Sequence, residues 1–127
     1  MPKSIYFDNV VLGVGLLQQS FVPPTTIYVA LFTVTPGPAG GGTEVAGGGY
    51  GRQTVTFGPA SNGQVVSTAA VNFPIATAPW GTITAFALFD ASSGGNMLYF
   101  GNLSTSRSVL ASDQVTFPAG QLIVTES

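Results

Sequence analysis

Thr26–Thr33 reads TIYVALFT, and Thr82–Phe89 reads TITAFALF. β-Branched and aromatic side chains dominate both runs, a composition that suits a pleated surface. Alternation puts Ile27, Val29 and Leu31 on one face of the first run, and Tyr28, Ala30 and Phe32 on the other. Both faces are apolar, so this strand is expected to be covered on both sides. The second run has the same character, and its Ala87-Leu88-Phe89 echoes Ala30-Leu31-Phe32. These two runs are the expected central strands.

Around them lie shorter runs that alternate cleanly. Val55 and Phe57 alternate with Thr54 and Thr56. Ala69, Val71 and Phe73 alternate with Thr68, Ala70 and Asn72, and Val115 and Phe117 with Gln114 and Thr116. Met97–Leu103 (MLYFGNL) and Gln121–Thr125 (QLIVT) complete the set. One-sided alternation marks half-buried antiparallel strands. Turn signals separate the runs: Asn62-Gly63, where both residues tolerate positive φ, Ser93-Gly94-Gly95-Asn96, and Pro118-Ala119-Gly120. The fold class that follows is mainly β. A single antiparallel β-sandwich or jelly-roll-like domain is expected over residues 23–127.

Residues 1–22 read differently and are expected to form a helical docking arm. Tyr6, Val10, Gly13 or Val14, and Leu17 recur at helical spacing, with Phe7, Val11 and Leu12 broadening the stripe. Asp8 and Asn9 are the expected N-caps, and Pro23-Pro24 the expected stop. Gly13 and Gly15 each cost about 1 kcal/mol relative to Ala inside a helix, so packing must hold the segment. Val10 and Leu17 are its candidate docking residues. The apolar stretch Val10–Leu17 is far shorter than the roughly 20 residues of a spanning helix. A signal peptide fits poorly, because Asp8 and Asn9 interrupt it and Gln18-Gln19-Ser20 is a poor cleavage site.

Composition narrows the function. The 127 residues carry three Lys or Arg and five Asp or Glu, a net charge of −2, and only 6% charged residues. An ordinary soluble domain has about 25%. Three dispersed cations do not build a phosphate-binding surface, so nucleic acid is not an expected partner. The chain has no His and no Cys, which removes the commonest general base, the thiol nucleophile and the usual transition-metal ligands. No catalytic, metal or cofactor site is expected, and no membrane partner. So few charges suit a protein that buries much of its surface in an assembly; a secreted β domain with a Ser/Thr-rich face is the alternative.

Two constellations stand out. Pro36–Gly51 (PGPAGGGTEVAGGGYG) holds eight glycines and two prolines, a long loop by composition. It is a candidate for contacts between subunits. Glu44 lies inside it and Arg52 directly after it. An ion pair between them would pin the loop to the following strand, and the five donors of Arg52 suit unpaired loop carbonyls. The alternative is that Arg52 or Tyr50 contacts a partner. Trp80, between Pro79 and Gly81, is read evenly as a core residue or an interface anchor.

The order of motifs also carries a resemblance. Pro-x-x-Ile-Tyr-Val-Ala-Leu-Phe-Thr stands at Pro24–Thr33 and Gly-Thr-Glu-Val…Gly-Gly-Tyr-Gly-Arg-Gln at Gly42–Gln53. Pro-Trp-Gly-Thr-Ile-Thr follows at Pro79–Thr84, Phe-Ala-Leu-Phe-Asp at Phe86–Asp90, and Phe-Pro-Ala-Gly at Phe117–Gly120. Together these resemble a family of small tailed-phage virion proteins. Its members are commonly labelled tail fibre proteins, and some are capsid decoration or cement proteins. The resemblance carries the family pattern onto Glu44, Tyr50, Arg52, Trp80, Gly81 and Asp90, none of them as a catalytic residue. It implies a structural role on the virion. The favoured expectation is a decoration protein that binds the assembled major capsid protein lattice, with self-association, for instance as a trimer. A tail fibre or baseplate protein that reads host glycan is the other, with Tyr50, Trp80 and Tyr99 as stacking candidates. A small envelope hydrolase is disfavoured by the missing His and Cys.

Overall fold

A computed structural model describes residues 2–126. One helix, α1 (Ile5–Leu16), precedes nine strands. These are β1 (Ile27–Val34), β2 (Thr43–Glu44), β3 (Gln53–Val55), β4 (Gln64–Val66), β5 (Val71–Asn72), β6 (Gly81–Phe89), β7 (Met97–Val109), β8 (Thr116–Phe117) and β9 (Ile123–Thr125). The main sheet is antiparallel, in the order β2-β1-β6-β7, with β3 also on the outer edge of β1. The two sequence-identified runs, β1 and β6, lie side by side at its centre, with Ala30 opposite Ala87 and Leu31 opposite Phe86. Two antiparallel ribbons, β4–β9 and β5–β8, complete the strands.

Both faces of β1 are covered, as its composition requires. One face sends Val29 and Leu31 into the main core, where Val71, Phe73, Val115, Leu122 and Val124 from in and around the ribbons meet them. The other face carries Ala30, Phe32, Ala85, Ala87, Met97 and Phe100. The register slips between Ile83 and Ala85, where β7 runs from Arg107 to Asn102. Such a bulge re-aims the side chains beyond it. Ile83 therefore points into the main core while Ala85, two residues on, joins the opposite cluster, and Phe86 returns to the main core.

Several expectations change. β7 continues past Leu103 to Val109. Its Ser104–Ser108 portion is polar and exposed, so apolar alternation gives no sign of it. β4 was not expected, and Ala69 is exposed outside any strand. The Asn62-Gly63 turn forms with φ of 55° and 73°, bridging Ser61 to Gln64.

Helix α1 starts at an N-cap further upstream than Asp8 or Asn9. The Ser4 hydroxyl accepts the Phe7 N–H at 3.1 Å, which satisfies one of the orphan donors of the first turn. Asp8 and Asn9 lie inside the helix. Ser4 is itself fixed to the body: its N–H donates to the Leu98 carbonyl at 2.9 Å and its hydroxyl to that of Met97. The helix also ends before Pro23-Pro24. Gln18 turns left-handed with φ 57°, and the N–H groups of Leu17 and Gln19 both donate to the Gly13 carbonyl. The Gln19 side chain fills the place a Cβ at Gly13 would take.

Candidate functional site

The outer edge of β1 has a gap. Ile27–Val29 pair with β3, and Phe32 and Val34 with β2. The buried Leu31 N–H between them needs an acceptor. Tyr50 supplies it: its hydroxyl accepts from Leu31 at 3.0 Å and donates to Glu44 Oε2 at 2.6 Å. Arg52 completes the group with a bidentate pair, Nε to Oε2 at 2.8 Å and Nη2 to Oε1 at 2.9 Å.

The other end of the Arg52 fork reaches across the sheet. Nη1 donates to the carbonyls of Ala91 at 2.9 Å and Gly94 at 2.8 Å. Its guanidinium lies 3.8 Å from the centroid of the Phe89 ring. Arg52 thus binds loop carbonyls, as its donor count suggested, but those of the β6–β7 turn. Asp90 closes the same turn, accepting from the Asn96 backbone N–H at 2.7 Å and side chain at 3.1 Å.

Trp80 belongs to the interior and is 5% exposed. Its ring meets Tyr50 edge-on at 5.5 Å, and Tyr50 stacks on Phe73 at 6.2 Å. The indole N–H donates to the Gly48 carbonyl at 2.9 Å, fastening the glycine-rich loop to the start of β6. Gly48 has φ +60°, and a Cβ there would fall 2.8 Å from Trp80 Nε1. Gly81 follows Trp80 with φ +89°, a conformation natural to glycine. With Trp80 buried and Tyr50 packed between two rings, neither presents a free face for sugar stacking.

The electrostatics follow from this packing. Burial alone would raise the Glu44 pKa; hydrogen bonds from Arg52 and Tyr50, with the Arg52 charge, outweigh it and hold the carboxyl below its ordinary range. Burial and the bond to Glu44 push the Tyr50 phenol up. The bond to Glu44 raises Arg52 further. Chemically this group is a fastener. Its carboxylate is held by three donors, one from Tyr50 and two from Arg52.

Glu44, Tyr50 and Arg52 thus gather at the outer edge of β1 with Trp80 packed on Tyr50, whereas Gly81 and Asp90 lie at opposite ends of β6, Asp90 in the turn that Arg52 reaches. Val10 and Leu17 lie apart on α1. A second cluster was not anticipated. Lys3 pairs with Glu126 and lies 3.9 Å from Asp8, while the Tyr99 hydroxyl donates to Glu126. Burial and this bond raise the Tyr99 pKa. The scarcity of cations was the one available signal, since Lys3 is one of three. The remaining charges also have internal partners: Arg107 donates to the Gln114 carbonyl, and Asp113 accepts the Leu110 N–H.

The family described as "Podophage GP4 fiber I protein gp80" matches residues 2–125. The chain belongs to this family. The gp80 family match makes the protein a structural component of a phage virion, in accord with the motifs that carried the resemblance. No curated protein matches the chain. Among the described residues, no helix is long and apolar enough to cross a membrane.

Proposed function

We propose that the protein is a non-catalytic building block of the virion's fibre apparatus, joined to its neighbours through the exposed face of α1. The family description supports the fibre assignment. The observation that carries the joining role is α1 itself. Ile5, Leu12, Leu16 and Leu17 are each at least half exposed, while residues 3–7 are tied to β7 through Ser4 and the Phe7–Tyr99 ring contact. An apolar helix fixed at one end, with its Ile5–Leu12–Leu16 face uncovered, is a ready joint.

A second reading, decoration of the major capsid protein lattice, is favoured by the lack of a fibrous repeat in the sequence. Reconstruction of the intact virion tests both. Density for this chain at the tail or its fibres is the expected result. Density spread over the capsid lattice would replace the fibre reading with the decoration reading. Leu12→Asp with Leu16→Asp is expected to abolish incorporation into virions. These substitutions suit the test better than deleting Met1–Gln19, which would remove the Ser4 contacts.

A further inference from the structure

The strands wrap into a nearly closed wall at one end of the fold. There β1 pairs with both β3 and β6, β6 with β7, and β4 with β9. Single bridges extend the wall, from Phe57 to Ser67 and from Lys3 to Tyr99. The Lys3–Glu126 ion pair spans the last interval, between the outer edge of β7 and the end of β9. Inside lies a cavity of about 340 Å³. Each wall segment sends it one apolar or aromatic residue: Ile27, Phe57, Val65, Leu88, Tyr99 and Val124. All six belong to the main core or pack against it. Phe7 of α1, edge-on to Tyr99, forms one lip.

We propose that this cavity is a binding site for a single unbranched alkyl chain with an uncharged, hydroxyl-bearing head. Small-molecule sites occupy about 300–1,000 Å³ and favour the mouths of closed β walls. At about 30 Å³ per heavy atom, the share of a water in the liquid, this one takes roughly ten carbons. A cavity lined by aliphatic and aromatic side chains accepts apolar molecules in preference to water.

The lining selects hydrocarbon over peptide. An inserted peptide would bring backbone amides, and burying those unpaired is costly. A hydrocarbon chain brings none. Among the described residues, the polar side chains that reach the cavity are Gln64, Glu126 and the Tyr99 hydroxyl. The Tyr99 hydroxyl is already committed to Glu126. Glu126, half-open to solvent with a side chain 41% exposed, can accept a further hydrogen bond from a hydroxyl head. The site stands apart from the α1 joining face, since neither Leu12 nor Leu16 lines it.

Isothermal titration calorimetry of the full chain with 1-hexanol, 1-octanol, 1-decanol and 1-dodecanol tests this. One molecule per chain is expected. Affinity should rise about fourfold per added methylene up to decanol, then level off, because further carbons stay in water. Ala60→Trp at the rim and Val65→Trp in the wall are each expected to weaken decanol binding at least tenfold. Ala60 lines the cavity from an exposed position, so its variant should melt as the parent does and keeps the test decisive if Val65→Trp fails to fold. No saturable binding, an affinity that climbs without levelling, or binding indifferent to Ala60→Trp would overturn the proposal. A parallel arm with phosphatidylcholine vesicles distinguishes the sources of such a chain. Co-sedimentation that Ala60→Trp abolishes assigns the site to an acyl chain of a bilayer lipid. Decanol binding without co-sedimentation assigns it to a free amphiphile.

Discussion

Removing the Glu44 carboxylate tests the fastener most directly. Glu44→Ala strips Arg52 of two charge-assisted bonds and leaves the Tyr50 hydroxyl without its acceptor. The Arg52 side chain is only 7% exposed and that of Glu44 26%. Breaking a fully buried pair by removing one partner costs about 3–5 kcal/mol. Water reaches part of Glu44, so about 2–4 kcal/mol is expected here. For a domain of this size that corresponds to a fall of roughly 8–15 °C in Tm. Urea denaturation and thermal melts of the full chain would measure it. A double-mutant cycle with Arg52→Ala should show the pair to be non-additive by at least about 1 kcal/mol. A loss under about 0.5 kcal/mol for Glu44→Ala, or a coupling of zero, would refute the claim that this corner holds the loop to the sheet.

Three further outcomes are expected. Glu44 has a lowered pKa in the folded state, so its contribution is fully present above the ordinary value of 4.5 and is lost as pH falls through the folded value. Stability measured against pH should therefore drop on the acid side, and Glu44→Ala should make that drop shallower. Tyr50 and Tyr99 have raised pKa values. Their contribution is present below pH 10 and is lost as pH rises through the folded values, so ultraviolet titration should show two phenols ionising late in the folded chain and normally in denaturant. Gly48→Ala combines positive φ with a clash against the Trp80 ring. It should cost about 2 kcal/mol or more, read from melts, and shift the Trp80 emission.

The central strands were legible because burial on both faces leaves a run apolar at every position, as in Val29–Phe32. The outer half of β7 was not, because Ser104–Ser108 face solvent and no burial writes a pattern there. The N-cap was misplaced for a related reason. Asp8 and Asn9 have the right chemistry, but Ser4 is held against Met97 and Leu98, residues more than ninety positions away. The Glu44–Arg52 pair was readable from charge scarcity and proximity in sequence. The carbonyls Arg52 binds were not, because the β6–β7 turn reaches it only through the sheet register. The buried setting of Trp80 depended on Gly48, whose carbonyl takes the indole N–H.

The pairing of the charges has a practical consequence. Five of the eight charged side chains lie in ion pairs and Arg107, Asp90 and Asp113 are dispersed and hydrogen-bonded within the fold, so few fixed charges are free to attract or repel a neighbour. Ionic strength acts on exposed, unpaired charges, through a screening length of about 10 Å at 0.1 M. A joint made by this chain has little for salt to screen. It should hold about equally at low and at high salt.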